Sequence, residues 1–247
     1  MSSVELIRSQ IESRIPGALK TYERRNRGVF HTGIPAIDRY GIPKGALTEI
    51  CAAPDVSSGR TSTLIALLAS LTREKYFSAL VDAGDSFDPE GAQRSGVDLD
   101  RLLWIRCRQK KDGRKKLTPL EQAFKAADIL VQNGGFALIA VDLTSIPESA
   151  LRKVPLTTWF RFTRVIERTD SALLFLSNYP AAQSCAGLTL RLSAKGVSWA
   201  NTTNSKRLSH TRLLTSAEFR LDAGRVRARK QPQSVPPNSL SSHRRCW

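Results

Sequence analysis

A loop between two apolar stretches carries the residue types that could bind phosphate. The strand-like stretch Ala46–Cys51 leads into small and polar residues, and a helix-like stretch follows. Such a loop binds phosphate because backbone N–H groups and a helix N-terminus point at the anion. The usual spelling is Gly, four residues and Gly-Lys-Ser/Thr. Here Pro54 replaces the first glycine and Arg60 replaces the lysine. Gly59 and Thr61 keep their places.

The candidate nucleotide-binding residues of this loop are small or carry a hydrogen-bonding side chain. They are Ser57, Ser58, Gly59, Arg60, Thr61 and Ser62. The same spelling also occurs in strand–loop–helix turns that bind no ligand. The loop alone therefore leaves both interpretations open.

Carboxylates follow two other strand-like stretches. Asp82, Asp85 and Asp88 lie at and just beyond the end of residues 78–82, and Asp142 closes the apolar run 136–142. Ligands of open α/β sheets bind at the carboxyl ends of strands. An aspartate in the place of Asp142 holds Mg²⁺ in phosphate-loop proteins. The first three aspartates are equally typical of an acidic turn with helix caps.

Strand and helix patterns alternate through the middle of the chain. Helices are expected at 61–71, 120–132 and 159–167, and further strands at 102–106 and 172–177. This alternation predicts an α/β fold with a mostly parallel central sheet and flanking helices. Short strand-like pieces at 189–192, 197–200, 211–214 and 218–221 predict a C-terminal antiparallel extension.

The charge balance indicates an anionic partner. The 247 residues carry a formal net charge of +16 and a pI of about 10.3. Nucleic acid is the commonest partner of such a chain, although a basic protein without one is the alternative. The candidate DNA-binding residues form one run: Arg106, Arg108, Lys110, Lys111, Arg114, Lys115 and Lys116. The run could equally be a solvated loop. Trp159 and Phe160 could stack bases, or lie in the core.

The length fits one core domain with extensions. We expect an N-terminal helix and basic linker at 1–30, a core domain at 31–230 and a disordered basic tail at 231–247. The four cysteines lack the spacing of a zinc motif. The sequence shows neither a signal peptide nor a membrane-spanning stretch, so we expect a cytoplasmic protein.

Residues 2–15 have the pattern of an amphipathic helix. Val4, Ile7, Ile11 and Ile15 fall on one face. The stretch 20–27 is polar and basic, as in a linker. The apolar face of the helix therefore packs either on a partner or on its own domain.

Taken together, residues 31–192 resemble the core of the RecA family. Thr32-Gly33 with Asp38 resembles the first motif of that family, residues 54–61 its phosphate loop, and residues 82–89 its Asp-Ala-Glu-His-Ala-Leu-Asp-Pro stretch. Residues 96–98 resemble its Gly-Val-Asp, and Asp142 falls on its Walker B aspartate. The resemblance implies a RecA-like phosphate-loop fold. Residues 102–106 and the short chain resemble the ImuA accessory proteins of mutagenic translesion synthesis more closely still.

Four positions depart from the family pattern. The catalytic glutamate of the family falls on Gly84, its adenine-stacking tyrosine on Gly91, its phosphate lysine on Arg60 and its first loop glycine on Pro54. Asp85 and Asn178 remain as candidates for a water or Mg²⁺ site. The resemblance therefore implies weak binding of ATP and Mg²⁺ at most, and we expect no catalytic residue and no efficient ATPase.

The resemblance implies a DNA repair accessory factor in the SOS and translesion synthesis response. Single-stranded DNA, a translesion polymerase assembly or another RecA-fold subunit would be its partners, and the N-terminal helix could mediate self-association. A protein-interaction module similar to the SulA cell-division inhibitors is one alternative. An active RecA-type recombinase, with DNA-dependent ATPase activity, is the other.

Overall fold

The computed structural model describes residues 3–14, 27–53, 58–107, 117–199, 214–226 and 240–241. The helices are α1 Ser3–Arg14, α2 Pro35–Asp38, α3 Arg60–Arg73, α4 Pro89–Arg94, α5 Pro119–Asn133, α6 Glu148–Leu151 and α7 Leu156–Ile166. The strands are β1 Val29–Phe30, β2 Ile42–Pro43, β3 Ala46–Cys51, β4 Ser78–Asp82, β5 Leu102–Arg106, β6 Leu138–Asp142, β7 Ala172–Ser177, β8 Leu188–Trp199, β9 Leu214–Val226 and β10 Leu240–Ser241.

Eight of these strands form one sheet in the order β10–β9–β8–β3–β7–β6–β4–β5. The strands from β8 to β5 are parallel, whereas β9 and β10 are antiparallel to their neighbours. Strands β6 and β7 are continuous apolar runs because helices cover both faces of a parallel sheet. The predicted α/β fold with a C-terminal antiparallel extension is confirmed.

The core has two layers, one on each face of the sheet. Helix α3 supplies Leu64, Leu67 and Leu68 to one layer. Helices α5 and α7 cover the other face, where Trp159 and Phe162 pack with Phe124 and Phe175. Trp159 is 1% exposed, so the suggestion that it stacks bases is wrong. Phe160, by contrast, is exposed.

The C-terminal strands are longer than the sequence indicates. The short piece expected at 189–192 and residues 197–199 of the next piece belong to the single strand β8. Residue 200, and residues 211–213 of the piece expected at 211–214, lie outside the described residues. The piece expected at 218–221 belongs to β9, and the two strands form a hairpin with three register shifts. Polar residues and Gly196 break the alternating pattern at these shifts, which is why the sequence suggests separate strands.

Local signals fix the helix that leads into β6. Thr118 and Glu121 form a capping box at the start of α5, where Pro119 is the first helical residue. Gly134, with φ of 69°, ends the helix. The helix therefore begins and ends within one residue of the stretch predicted from the sequence.

Arg27, two residues before β1, is anchored to the loop that precedes β7. The Arg27 guanidinium donates to the carbonyl oxygens of Glu167 and Thr169 and pairs with the Asp170 carboxylate at 3.5 Å. Arg27, the last residue of the stretch predicted to be a linker, therefore contacts the loop before β7. The rest of the expected linker, residues 20–26, lies outside the described residues.

Candidate functional site

The junction of β3 and α3 places the candidate loop at the carboxyl edge of the sheet. Gly59 precedes α3 with φ of 76°, a left-handed conformation that glycine adopts without a steric penalty. Among the described residues, no side chain caps this helix start. Ser58 is buried, whereas Thr61 and Ser62 are exposed on the first turn. Ser57, with residues 54–56, lies outside the described residues.

The Arg60 side chain turns back into the protein. One guanidinium nitrogen donates to the carbonyl oxygen of Ala52 at 3.1 Å and to that of Ser177 at 2.6 Å. The same nitrogen donates to Oδ1 of Asn178 at 2.6 Å. Arg60 thus links the ends of β3 and β7. A phosphate-loop lysine instead extends toward the phosphates.

Asn178 is held at both ends of its amide. Its oxygen accepts from Arg60, and its nitrogen donates to the carbonyl oxygen of Thr144 at 2.7 Å. The candidate water or Mg²⁺ ligand therefore has two protein partners, which lie 118 and 34 residues away in sequence.

Asp142 and Asp82 are direct neighbours in the register of β6 and β4. Burial raises the pKa of the Asp142 carboxyl, and hydrogen bonds from Thr144 oppose this shift. The Asp82 carboxylate accepts from the backbone N–H groups of Gly84, Ser86 and Phe87. Asp82 therefore stabilises the turn after β4, and each of its carboxylate oxygens accepts at least one hydrogen bond from that turn.

The position that the family resemblance assigns to a catalytic glutamate has no room for one. A Cβ on Gly84 would lie 2.7 Å from Oγ and 2.8 Å from Cβ of Ser145. Asp85, the next residue, has φ of 53° and forms a bidentate pair with Arg106. Its carboxylate is therefore engaged on the protein surface.

The adenine-stacking position is closed in a similar way. A Cβ on Gly91 would collide with the Asp88 carboxylate. Asp88 is held there because it caps α4 and accepts from the Glu90 N–H group at 3.1 Å. An aromatic side chain at this position would disrupt that cap.

Of the seven residues in the basic run, the structure describes the first, Arg106. Arg106 pairs with Asp85 and lies over the Trp104 ring, with its guanidinium carbon 4.6 Å from the ring centre. The other six candidates, Arg108, Lys110, Lys111, Arg114, Lys115 and Lys116, lie outside the described residues. Arg106 therefore ties the start of this run to the turn after β4.

Sequence reasoning missed Glu49, a buried carboxyl group in the centre of the sheet. Glu49 as a whole is 0% exposed to solvent. Oε1 accepts from the N–H groups of Ala181 at 2.6 Å and Ala182 at 3.3 Å, whereas Oε2 has no hydrogen-bond partner in the part of the chain that the structure describes. Burial raises the pKa of Glu49 to about 7. An acidic residue in the otherwise uncharged strand Ala46–Cys51 was the available signal.

Comparison with known proteins decides the family. A model of the RecA N-terminal domain matches residues 24–151, more than half of the chain. The chain belongs to the RecA N-terminal domain family. Protein RecA of Mycoplasmopsis pulmonis (strain UAB CTIP) is 32% identical over 156 residues, 61% of this chain and 42% of that protein. Protein RecA of Clavibacter michiganensis subsp. michiganensis is 36% identical over 124 residues, 49% of this chain and 31% of that protein. The chain thus matches less than half the length of these RecA proteins.

The described residues do not fit a RecA-type nucleotide site in this arrangement. Arg60 is committed to strand ends, and Gly84 and Gly91 lack space for the side chains that the family pattern requires. Within the described ranges, no cluster of three or more His, Cys, Asp or Glu residues could hold a metal ion. The described helices also include none with the length and apolar character needed to cross a bilayer.

Proposed function

We propose that the chain is a RecA-like accessory factor of DNA repair that binds single-stranded DNA and repair partners without efficient ATP hydrolysis. The observation that carries this proposal is the Arg60 guanidinium, which is bonded to Ala52, Ser177 and Asn178. All three bonds involve one guanidinium nitrogen, so this nitrogen is engaged by the protein and the guanidinium is held at the strand ends. Burial also lowers the pKa of Arg60, and the Asp142 carboxylate opposes this shift.

The RecA family membership and the net charge of +16 support a role with DNA. The relatives found by sequence comparison are RecA proteins. The proposed role in the SOS response and translesion synthesis is based on the resemblance of residues 102–106 to the ImuA proteins. The proposal gives ATP and Mg²⁺ a minor place, with Asp142 as the candidate Mg²⁺ residue. We also propose that the protein is cytoplasmic and that its core domain spans residues 31–230.

Single-stranded DNA binding tests this proposal through its salt dependence. Replacing Lys110, Lys111, Lys115 and Lys116 with alanine is expected to weaken binding and to flatten the plot of log affinity against log salt concentration. Each phosphate contact adds about 0.7 to this slope on single strands, so four lost contacts lower it by roughly 3. Fluorescence anisotropy with a labelled oligonucleotide from 50 to 300 mM salt, as an approximate range, measures both quantities.

A matched variant separates the run from overall charge. Arg39, Arg73, Lys75 and Arg94 are outside the run, and their replacement with alanine lowers the net charge equally. This control is expected to keep most of the slope. Equal slopes for the wild-type chain and the run variant would show that these four lysines do not contact DNA phosphates.

The exposed face of α1 favours a second function, protein interaction. Leu6 is 51% exposed, Ile7 56% and Ile11 38%. Burying one such side chain stabilises a complex by about 1.5–3 kcal/mol. Val4 and Ile15, the other members of the predicted stripe, are not described at the side-chain level. A translesion polymerase assembly or a RecA-fold subunit is the partner that the proposed repair role implies.

Replacing Ile7 and Ile11 with glutamate is expected to abolish self-association or partner binding and to leave the folded domain intact. Both side chains are exposed, and such surface changes typically alter stability by less than about 0.5 kcal/mol. Light scattering measures self-association, and thermal melting reports the fold. A large fall in melting temperature would instead place α1 in the core. Ser9→Glu with Gln10→Glu, at exposed positions of the same helix, adds the same two negative charges and serves as the control.

A further inference from the structure

Helix α7 carries two exposed apolar side chains on the side that faces solvent. Trp159, Phe162 and Ile166 of this helix are buried against the sheet. Leu156 is 41% exposed, and Phe160 is 47% exposed. Residues four positions apart on a helix are neighbours on its surface, so these two side chains form one apolar patch.

The same side of the helix becomes basic toward its end. Arg164 lies one turn beyond Phe160, and Arg168 follows in the turn after α7. Both arginines are exposed. We define the α7 face as Leu156, Phe160, Arg164 and Arg168. Over about 18 Å of chain, this face changes from apolar to cationic.

The cations beside the α7 face are already paired with carboxylates. Arg161 of α7 pairs with Asp128 of α5 at 3.4 Å, and Arg152 pairs with Glu148. A nucleic acid strand laid along the helix would bring its phosphates close to these carboxylates, which repel them. The surface therefore suits a ligand that places a few carboxylates at defined points better than a continuous polyanion.

The residue types of the α7 face are those of a protein interface. Aromatic residues and arginine are enriched at such interfaces, whereas lysine is depleted. Both cations of the face are arginines, and a guanidinium binds a carboxylate through two parallel hydrogen bonds. An amphipathic helix binds a partner through apolar side chains three or four residues apart. Such a helix, lying on Leu156 and Phe160, would bring its next turns beside Arg164 and Arg168.

We propose that the α7 face binds an acidic amphipathic helix of a partner protein. Apolar side chains of that helix cover Leu156 and Phe160, and carboxylates one and two turns further along pair with Arg164 and Arg168. The surface uses no residue of α1 or of the basic run, so this inference goes beyond the proposed function.

A labelled helical peptide of about 15 residues, with a leucine stripe on one side and glutamates elsewhere, is the probe for this surface. Fluorescence anisotropy measures its affinity for the full chain. Phe160→Ala is expected to weaken binding at least about tenfold, because buried aromatic anchors dominate interface energies. Phe77→Ala is the matched control, since Phe77 is 51% exposed and lies outside α7, and it is expected to bind the peptide as the wild type does.

Charge reversal tests the pairs with carboxylates. Arg164→Glu with Arg168→Glu is expected to abolish binding of the acidic peptide and to allow binding of a peptide in which lysine replaces each glutamate. Arg39→Glu with Arg94→Glu, at two other exposed positions, lowers the net charge equally and is expected to retain most of the affinity for the acidic peptide. Thermal melting of all these variants is expected to match the wild type, because the replaced side chains are exposed.

Absence of acidic-peptide binding by the wild type, or equal affinity of the wild type and Phe160→Ala, would overturn the proposal. A labelled oligonucleotide of thymidines is the second ligand in the same assay. Loss of oligonucleotide binding in both α7 variants, with peptide binding retained, would assign the face to nucleic acid and would also overturn it. Each of these results leaves the proposed role of the basic run to its own test.

Discussion

Between pH 4.5 and pH 7, the free energy of unfolding is expected to fall by about 3 kcal/mol through the single carboxyl group of Glu49. Burial raises the pKa of this group from its ordinary value of 4.5 to about 7 in the folded chain. Burial of Glu49 in β3 is the cause, because a buried carboxylate loses its hydration.

The direction follows from where the proton is bound. Below pH 4.5, Glu49 is protonated in both the folded and the unfolded chain. As the pH rises, the unfolded chain releases its proton first, so folding becomes less favourable until the folded group also ionises near pH 7. Stability is therefore fully present below the unfolded pKa and is lost as the pH rises through the folded pKa.

Urea titrations at pH 4.5 and pH 8 measure this effect in the wild type and in Glu49→Gln. A neutral amide retains an acceptor for Ala181 and removes the ionisation, so the variant is expected to lose most of the pH difference. Glu90→Gln, on the surface of α4, changes the charge equally and is expected to behave as the wild type. Equal pH dependence in Glu49→Gln and the wild type would show that Glu49 ionises normally.

The fold could be predicted from the sequence because its signals are local. The apolar runs Leu138–Asp142 and Ala172–Ser177 are typical of buried parallel strands. Pro119 and Gly134 mark the ends of α5. The family motifs then fix the order in which such elements follow one another.

The contacts that close the candidate site could not be predicted, because each joins distant segments. Arg60 bonds to Asn178, Asp85 pairs with Arg106, and Phe219 packs on Gly59. Sequence comparison shows that Arg60 stands in place of a lysine, but it does not show where the guanidinium points. Likewise, the sequence shows Gly84 in place of a glutamate, and the structure adds that Ser145 fills the space.

ATP turnover is expected to be at least about 10²-fold below the common enzyme range of roughly 1–10 s⁻¹. A group that positions the attacking water typically contributes about 10²–10⁴-fold to the rate. Gly84 supplies no such group, and Asp85 is paired with Arg106. Gly84→Glu is expected to leave turnover low, because its side chain would meet Ser145 and Arg60 would remain bonded to the strand ends.

Phosphate release by the purified chain with ATP, Mg²⁺ and excess single-stranded DNA tests the central claim most directly. A RecA protein with an intact site, assayed alongside, verifies the reagents. We expect the chain to bind DNA in this sample, and we expect DNA not to stimulate phosphate release. Stimulated turnover of roughly 1–10 s⁻¹ would contradict it, and would show that Arg60 and Gly84 belong to a working ATPase site.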